Sequence, residues 1–123
     1  MRILVVIEDD INIRNLVCEI FEDVDEIKTI GYSSKEANKV IYGNIPDLLL
    51  IDEYLHFSEM EYIVNNIKNK EESAKIFVIS SKTGNEAVHA KKDLGVDLFI
   101  TKPFNPEFLF IKAHEILDIM IAD

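Results

Sequence analysis

Five short apolar runs alternate with longer stretches of helical periodicity, and this alternation limits the fold more than any other feature of the chain. Ile3–Ile7 is an unbroken block of Ile, Leu and Val bounded by charge, and similar blocks recur at Leu48–Ile51, Ile76–Ile79 and Leu98–Ile100. Runs this short, apolar at every position, suit strands covered on both faces. A fifth run, Ile27–Ile30, is interrupted by Lys28 and Thr29 and suits a less protected place in a sheet. Between the runs, Ile13, Leu16, Val17, Ile20 and Phe21 recur with the helical period and form one apolar stripe. Ala37, Val40 and Ile41 repeat the pattern briefly, and Met60, Ile63, Val64 and Ile67 repeat it clearly. A weaker pattern runs through Glu86–Leu94, and a fifth, from Pro106 to about Met120, carries Phe108, Leu109, Ile111, Ile116, Leu117 and Ile119.

Helix start signals fall where these stretches begin. Ser33…Glu36, Ser58…Glu61 and Thr83…Glu86 fit a capping box, in which a hydroxyl and a carboxylate satisfy orphan N–H groups. Asn105-Pro106 pairs an N-cap residue with proline at the first helical position. The order is therefore a strand–helix unit repeated five times. That order predicts an α/β fold, (βα)5: a doubly wound five-stranded parallel sheet with right-handed crossovers and helices on both faces. At 123 residues, with no linker, repeat or low-complexity segment, residues 1–123 read as a single domain.

Composition narrows the function. Acids outnumber bases 23 to 13, a formal charge of −10. This argues against direct binding of a phosphate backbone and against an anionic membrane surface. The lone cysteine, Cys18, excludes an internal disulfide and fits a cytoplasmic protein. It reads as a bystander beside the first helical stripe. No apolar run is long enough to span a membrane.

Ligands of open parallel sheets bind beyond the carboxyl ends of the strands. After the first run come Glu8, Asp9 and Asp10; the third ends in Asp52 and Glu53; the fourth in Ser80-Ser81; the fifth in Thr101-Lys102-Pro103. Carboxylates crowded in this way either protonate or gather a cation. An oxygen-only donor set favours Mg²⁺ over zinc. The added hydroxyl and lysine suit a phosphoryl group, which needs positive charge and hydrogen-bond donors.

In order and spacing, Ile3-Leu4-Val5-Val6-Ile7-Glu8-Asp9-Asp10, Pro46-Asp47-Leu48-Leu49-Leu50-Ile51-Asp52, Ile79-Ser80-Ser81 and Thr101-Lys102-Pro103-Phe104 resemble the receiver domain of two-component response regulators. The resemblance covers essentially the whole chain, and it implies the flavodoxin-like strand order 2-1-3-4-5. It implies that Asp52 accepts a phosphoryl group from a histidine kinase or phosphotransfer protein. Glu8, Asp9, Asp52 and the backbone carbonyl of Tyr54 would hold Mg²⁺. Ser80 would donate to a phosphate oxygen, and Lys102 would pair with Asp52 or its phosphate, with a cis Pro103 following. Ser80 and Phe99 would act as the switch that reshapes the face of the fourth helix, fifth strand and fifth helix. That face would control an output domain or partner, or form a homodimer. The domain would promote its own phosphorylation without being a turnover enzyme.

Departures fall in the loop after the acceptor, where His56 and Met60 replace the family's usual proline and glycine, and at Ser81, which replaces a small apolar residue. Tyr54 and Lys82 occupy positions that tune phosphate lifetime in the family. A pseudo-receiver, an unphosphorylated interaction module, is the rival reading. An aspartyl-phosphate hydrolase would carry an acid where Tyr54 stands, and a flavin protein would carry a Ser/Thr/Gly-rich phosphate loop after the first strand, where this chain has acids. His56, His89 and His114 read as solvated surface residues.

Overall fold

The computed structural model describes residues 1–43, 45–52, 57–80 and 95–122. All five apolar runs form strands: β1 (Arg2–Ile7), β2 (Ile27–Tyr32), β3 (Leu48–Asp52), β4 (Lys75–Ser80) and β5 (Leu98–Thr101). They form one parallel sheet in the order β2-β1-β3-β4-β5, as the resemblance implied. The polar-interrupted run is indeed an edge strand, since β2 pairs only with β1. The central strands are buried at every position of β3, at all but the first position of β4 and over the last four residues of β1.

Alternation within the strands splits the core into two layers. Val5, Ile7, Leu49, Ile51, Ile76 and Val78 face one side, where they meet Val40, Ile41, Met60, Ile63, Val64 and Ile67. Those partners come from α2 (Asn38–Tyr42) and α3 (Phe57–Lys70). Leu4, Val6, Leu48, Leu50, Phe77 and Ile79 face the other side, against Val17 and Phe21 of the α1 (Ile11–Ile20) region and Leu109, Ala113 and Leu117 of the C-terminal helix (Pro106–Leu117). This is the double winding that the strand–helix order requires.

Start signals were realised unevenly. Asn105 caps the C-terminal helix, its side-chain oxygen accepting from Glu107 N–H at 2.8 Å, with Pro106 in the first turn. At Ser33, Glu36 accepts from both the N–H and the hydroxyl at 3.1 Å, but it closes a single 3₁₀ turn (Ser34–Glu36) before α2. The third helix is described from Phe57, which places Ser58 on its backbone, and the capping side chain of Ser58 lies outside what is described. Thr83…Glu86, His89 and the weak helical pattern over 86–94 lie outside the described residues.

Three further expectations are corrected. Leu16 does not join the buried stripe and is 37% exposed, because Val17 and Phe21 take the centre of that face. The C-terminal helix stops at Leu117, short of Met120, where Asp118 turns into the left-handed region at φ 56° and ψ 47°. His114 is not a surface residue: it is 3% exposed, with its ring 4.2 Å from that of Phe110 and Nδ1 2.7 Å from the Phe110 carbonyl.

Candidate functional site

Parallel register brings the carboxyl ends of the strands level. Ile7 lies beside Tyr32 and Ile51, Asp52 beside Ile79, and Ser80 beside Thr101. Glu8 is therefore set just beyond β1, Asp52 and Ser80 at the last positions of β3 and β4, and Lys102 just beyond β5. The Lys102 N–H donates to the Ser80 carbonyl at 3.0 Å, and the following bond to Pro103 is cis.

These residues converge. The Lys102 ammonium donates to Asp52 Oδ2 at 2.6 Å and lies 3.6 Å from Glu8 Oε1. Glu8, Asp52 and Ser80 are all buried, while the lysine reaches the two carboxyl groups from a partly open side. Neither oxygen of Glu8 makes a hydrogen bond to the described residues. Burial, followed by the adjacent Asp52 carboxylate, pushes the Glu8 pKa up to about 8 against the pull of Lys102. For Lys102, burial disfavours the charge, but the two carboxylates outweigh it and its pKa is raised. The result is a buried pair of opposite charges with a second carboxyl beside it.

Asp9 behaves differently. It is exposed, and its carboxylate accepts from Ser34, Oδ1 from the N–H at 2.7 Å and Oδ2 from the hydroxyl at 2.8 Å. Among the described residues, no three His, Cys, Asp or Glu side chains come together in a way that could hold a metal ion. Two of the three expected carboxylates thus meet, and the third is turned onto the neighbouring segment. Asp10 caps α1, accepting from Asn12 N–H at 2.9 Å. Tyr54 and His56 lie outside the described residues, as do Ser81 and Lys82. Met60 is buried in the core beside α2. Phe99 is half-buried against the same layer.

Two supports were not anticipated from the sequence. Arg14 Nη1 donates to the Glu8 carbonyl at 2.9 Å, anchoring the chain where it leaves β1. Its aliphatic part crosses β2 at Gly31, where a Cβ would stand 2.9 Å from Arg14 Cγ. Ser34 is the second. Parallel neighbours β1 and β2 must end side by side, so a hydroxyl just after β2 within reach of the first acids was the available signal.

The site's oxygen-only donors and the two unbonded, buried oxygens of Glu8 fit a hard divalent cation in chemistry. The profile of the response regulator receiver domain matches residues 4–114. The chain belongs to this family. A receiver domain is a regulatory part of two-component systems, and receiver domains generally use Mg²⁺ at the phosphorylation site. The chain is 29% identical over 107 residues to the transcriptional regulatory protein FlgR of Helicobacter pylori, covering 86% of this chain and 27% of that protein. It is also 29% identical over 103 residues to a protein-glutamate methylesterase/protein-glutamine glutaminase of Geobacter sulfurreducens, covering 81% and 27%. The chain thus spans about a quarter of the length of these relatives. Among solved structures, the receiver domain of the Francisella response regulator 1452 superposes with a TM-score of 0.76 at 26% identity, covering 96% of this chain and 98% of that one.

Proposed function

We propose that this receiver domain is a switch set by phosphorylation of Asp52. The observation that carries this reading is the contact at 2.6 Å between the half-buried Lys102 and the buried Asp52, level with Ser80 and Glu8 at the carboxyl ends of four strands. In the proposed reaction an Asp52 carboxylate oxygen attacks the phosphorus of a kinase or phosphotransfer phosphohistidine. The new O–P bond forms as the N–P bond breaks, and the departing imidazole keeps the electron pair and takes up a proton. Lys102 leaves the carboxylate to pair with the phosphoryl oxygens, and the Ser80 hydroxyl donates to one of them. Glu8, Asp9 and Asp52, with the Tyr54 carbonyl, would hold Mg²⁺. When bound, the cation supplies positive charge against the incoming phosphoryl oxygens.

Phe99 lies within β5, three residues before Lys102, so a lysine that changes partner pulls on the strand bearing the ring. We assign Phe99 and Ser80 as the switch, and the surface around β5 and the C-terminal helix as the face read by an output domain, a partner or a second copy. Residues 1–123 would act as one such unit in the cytoplasm, with no direct contact to nucleic acid or membrane. Beryllofluoride, a phosphoryl mimic, added with Mg²⁺ tests this. The expected result is a bound fluoride signal and a shift of the Phe99 ring resonances, both lost in Asp52→Asn. Binding without any change at Phe99 would contradict the switch, and no binding would favour the pseudo-receiver reading.

A further inference from the structure

Asp9 and Ser34 are held together by a two-pronged grip that the proposed function does not use. Each Asp9 oxygen accepts one bond, at 2.7 Å from the Ser34 N–H and at 2.8 Å from its hydroxyl. Both distances are those of well-formed hydrogen bonds. Ser34 is itself fixed. It opens the 3₁₀ turn whose cap is closed by Glu36 on Ser33, and Tyr32 before it accepts from the Glu8 N–H at 2.9 Å. The ends of β1 and β2 are thus tied at Glu8 and again at Asp9, whose carboxylate is engaged by Ser34. A hard cation takes carboxylate oxygens as ligands. Both of Asp9's oxygens are engaged elsewhere, and its neighbour Glu8 has two with no hydrogen bond.

We propose that Ser34 is a positioning residue that holds Asp9 out of the Glu8–Asp52 pocket until a divalent cation draws it in. This rests on the cation-binding reading above. Ser34 competes with the ion for one carboxylate, so it lowers the affinity of the site and couples cation binding to the segment leading into α2. The cation frees the Ser34 N–H to water, and α2 packs on the same core layer as Phe99.

The experiment is a Mg²⁺ titration of the parent, Ser34→Ala and Ser34→Thr, followed by backbone amide NMR. Ser34→Ala should bind Mg²⁺ roughly three- to tenfold more tightly, the scale of one net hydrogen bond. Ser34→Thr, which keeps the hydroxyl, should match the parent. In the parent, the Ser34 amide should move with the same midpoint as the amides of Glu8 and Asp52, a readout that also serves if the alanine variant does not fold. If Mg²⁺ binds but Ser34→Ala is unchanged or weaker, or the Ser34 amide stays still, the positioning role is overturned while the function above stands. If Mg²⁺ moves neither Glu8 nor Asp52 in the parent, the cation reading fails and takes this inference with it.

Discussion

Glu8 decides the electrostatics of the pocket. With its pKa pushed up to about 8 by burial and by Asp52, it holds a proton at neutral pH, and Asp52 and Lys102 remain as a neutral pair. Three ionisable groups can then be buried together without a cation. The same shift has a cost in stability. As pH rises from 4.5 to about 8, an unfolded glutamate has lost its proton while the folded one still keeps it. The unfolded state binds fewer protons across that window, so this group's contribution lowers stability as pH rises. We predict that the thermal midpoint of the metal-free protein declines across this window and that Glu8→Gln flattens the decline; an unchanged slope in the variant would show that Glu8 is ionised throughout. A cation must also displace the Glu8 proton, so Mg²⁺ affinity should rise with pH over the same range. Calorimetry in buffers of different ionisation enthalpy would report the released proton.

At the scale of elements, β3 carries the structure and the site together, since its apolar residues face both core layers and its last residue is Asp52. Leu50→Ala, at a position 1% exposed, should cost about 2–5 kcal/mol of unfolding free energy in denaturant titrations. Asn105→Ala should cost about 1 kcal/mol by removing the cap of the C-terminal helix. A loss under a few tenths would mean that water replaces the cap without penalty. The strands were legible because helices cover both faces, so every inward or outward position is apolar and no alternation is needed to find them. Helix ends were less legible, because Asp118 stops the last helix by a backbone turn that no apolar spacing announces. His114 was misread for want of its neighbours, although Phe110 and Leu117 share its helical face and marked it as an inward position. In the site, Glu8, Asp52, Ser80 and Lys102 could be placed together because each follows an apolar run. The Asp9–Ser34 grip could not, since it joins residues 25 apart through the pairing of β1 with β2.

Over the whole molecule, the charge of −10 is distributed by role. Asp47 and Asp97 accept from the Ile3 and Ile76 N–H groups at 2.7 and 2.8 Å, tying loops to strands, and Asp10 caps a helix. Glu8 and Asp52 are buried beside one lysine, and this is the part of the surplus that a cation can enter once Glu8 gives up its proton. Mg²⁺ that binds the folded state alone should raise the thermal midpoint with concentration, and more so at pH 8 than at pH 5. An equal rise at both pH values would place the ion elsewhere on the acidic surface. No helix among the described residues is long and apolar enough to cross a membrane. The central claim is that Asp52 takes a phosphoryl group, and it is tested most directly by treating the protein with a small acyl phosphate and Mg²⁺ and mapping the product by mass spectrometry after borohydride trapping. The expected product is a single modification at Asp52, abolished by chelation of Mg²⁺ and absent in Asp52→Asn. An unmodified chain, or a label on any other residue, would contradict it.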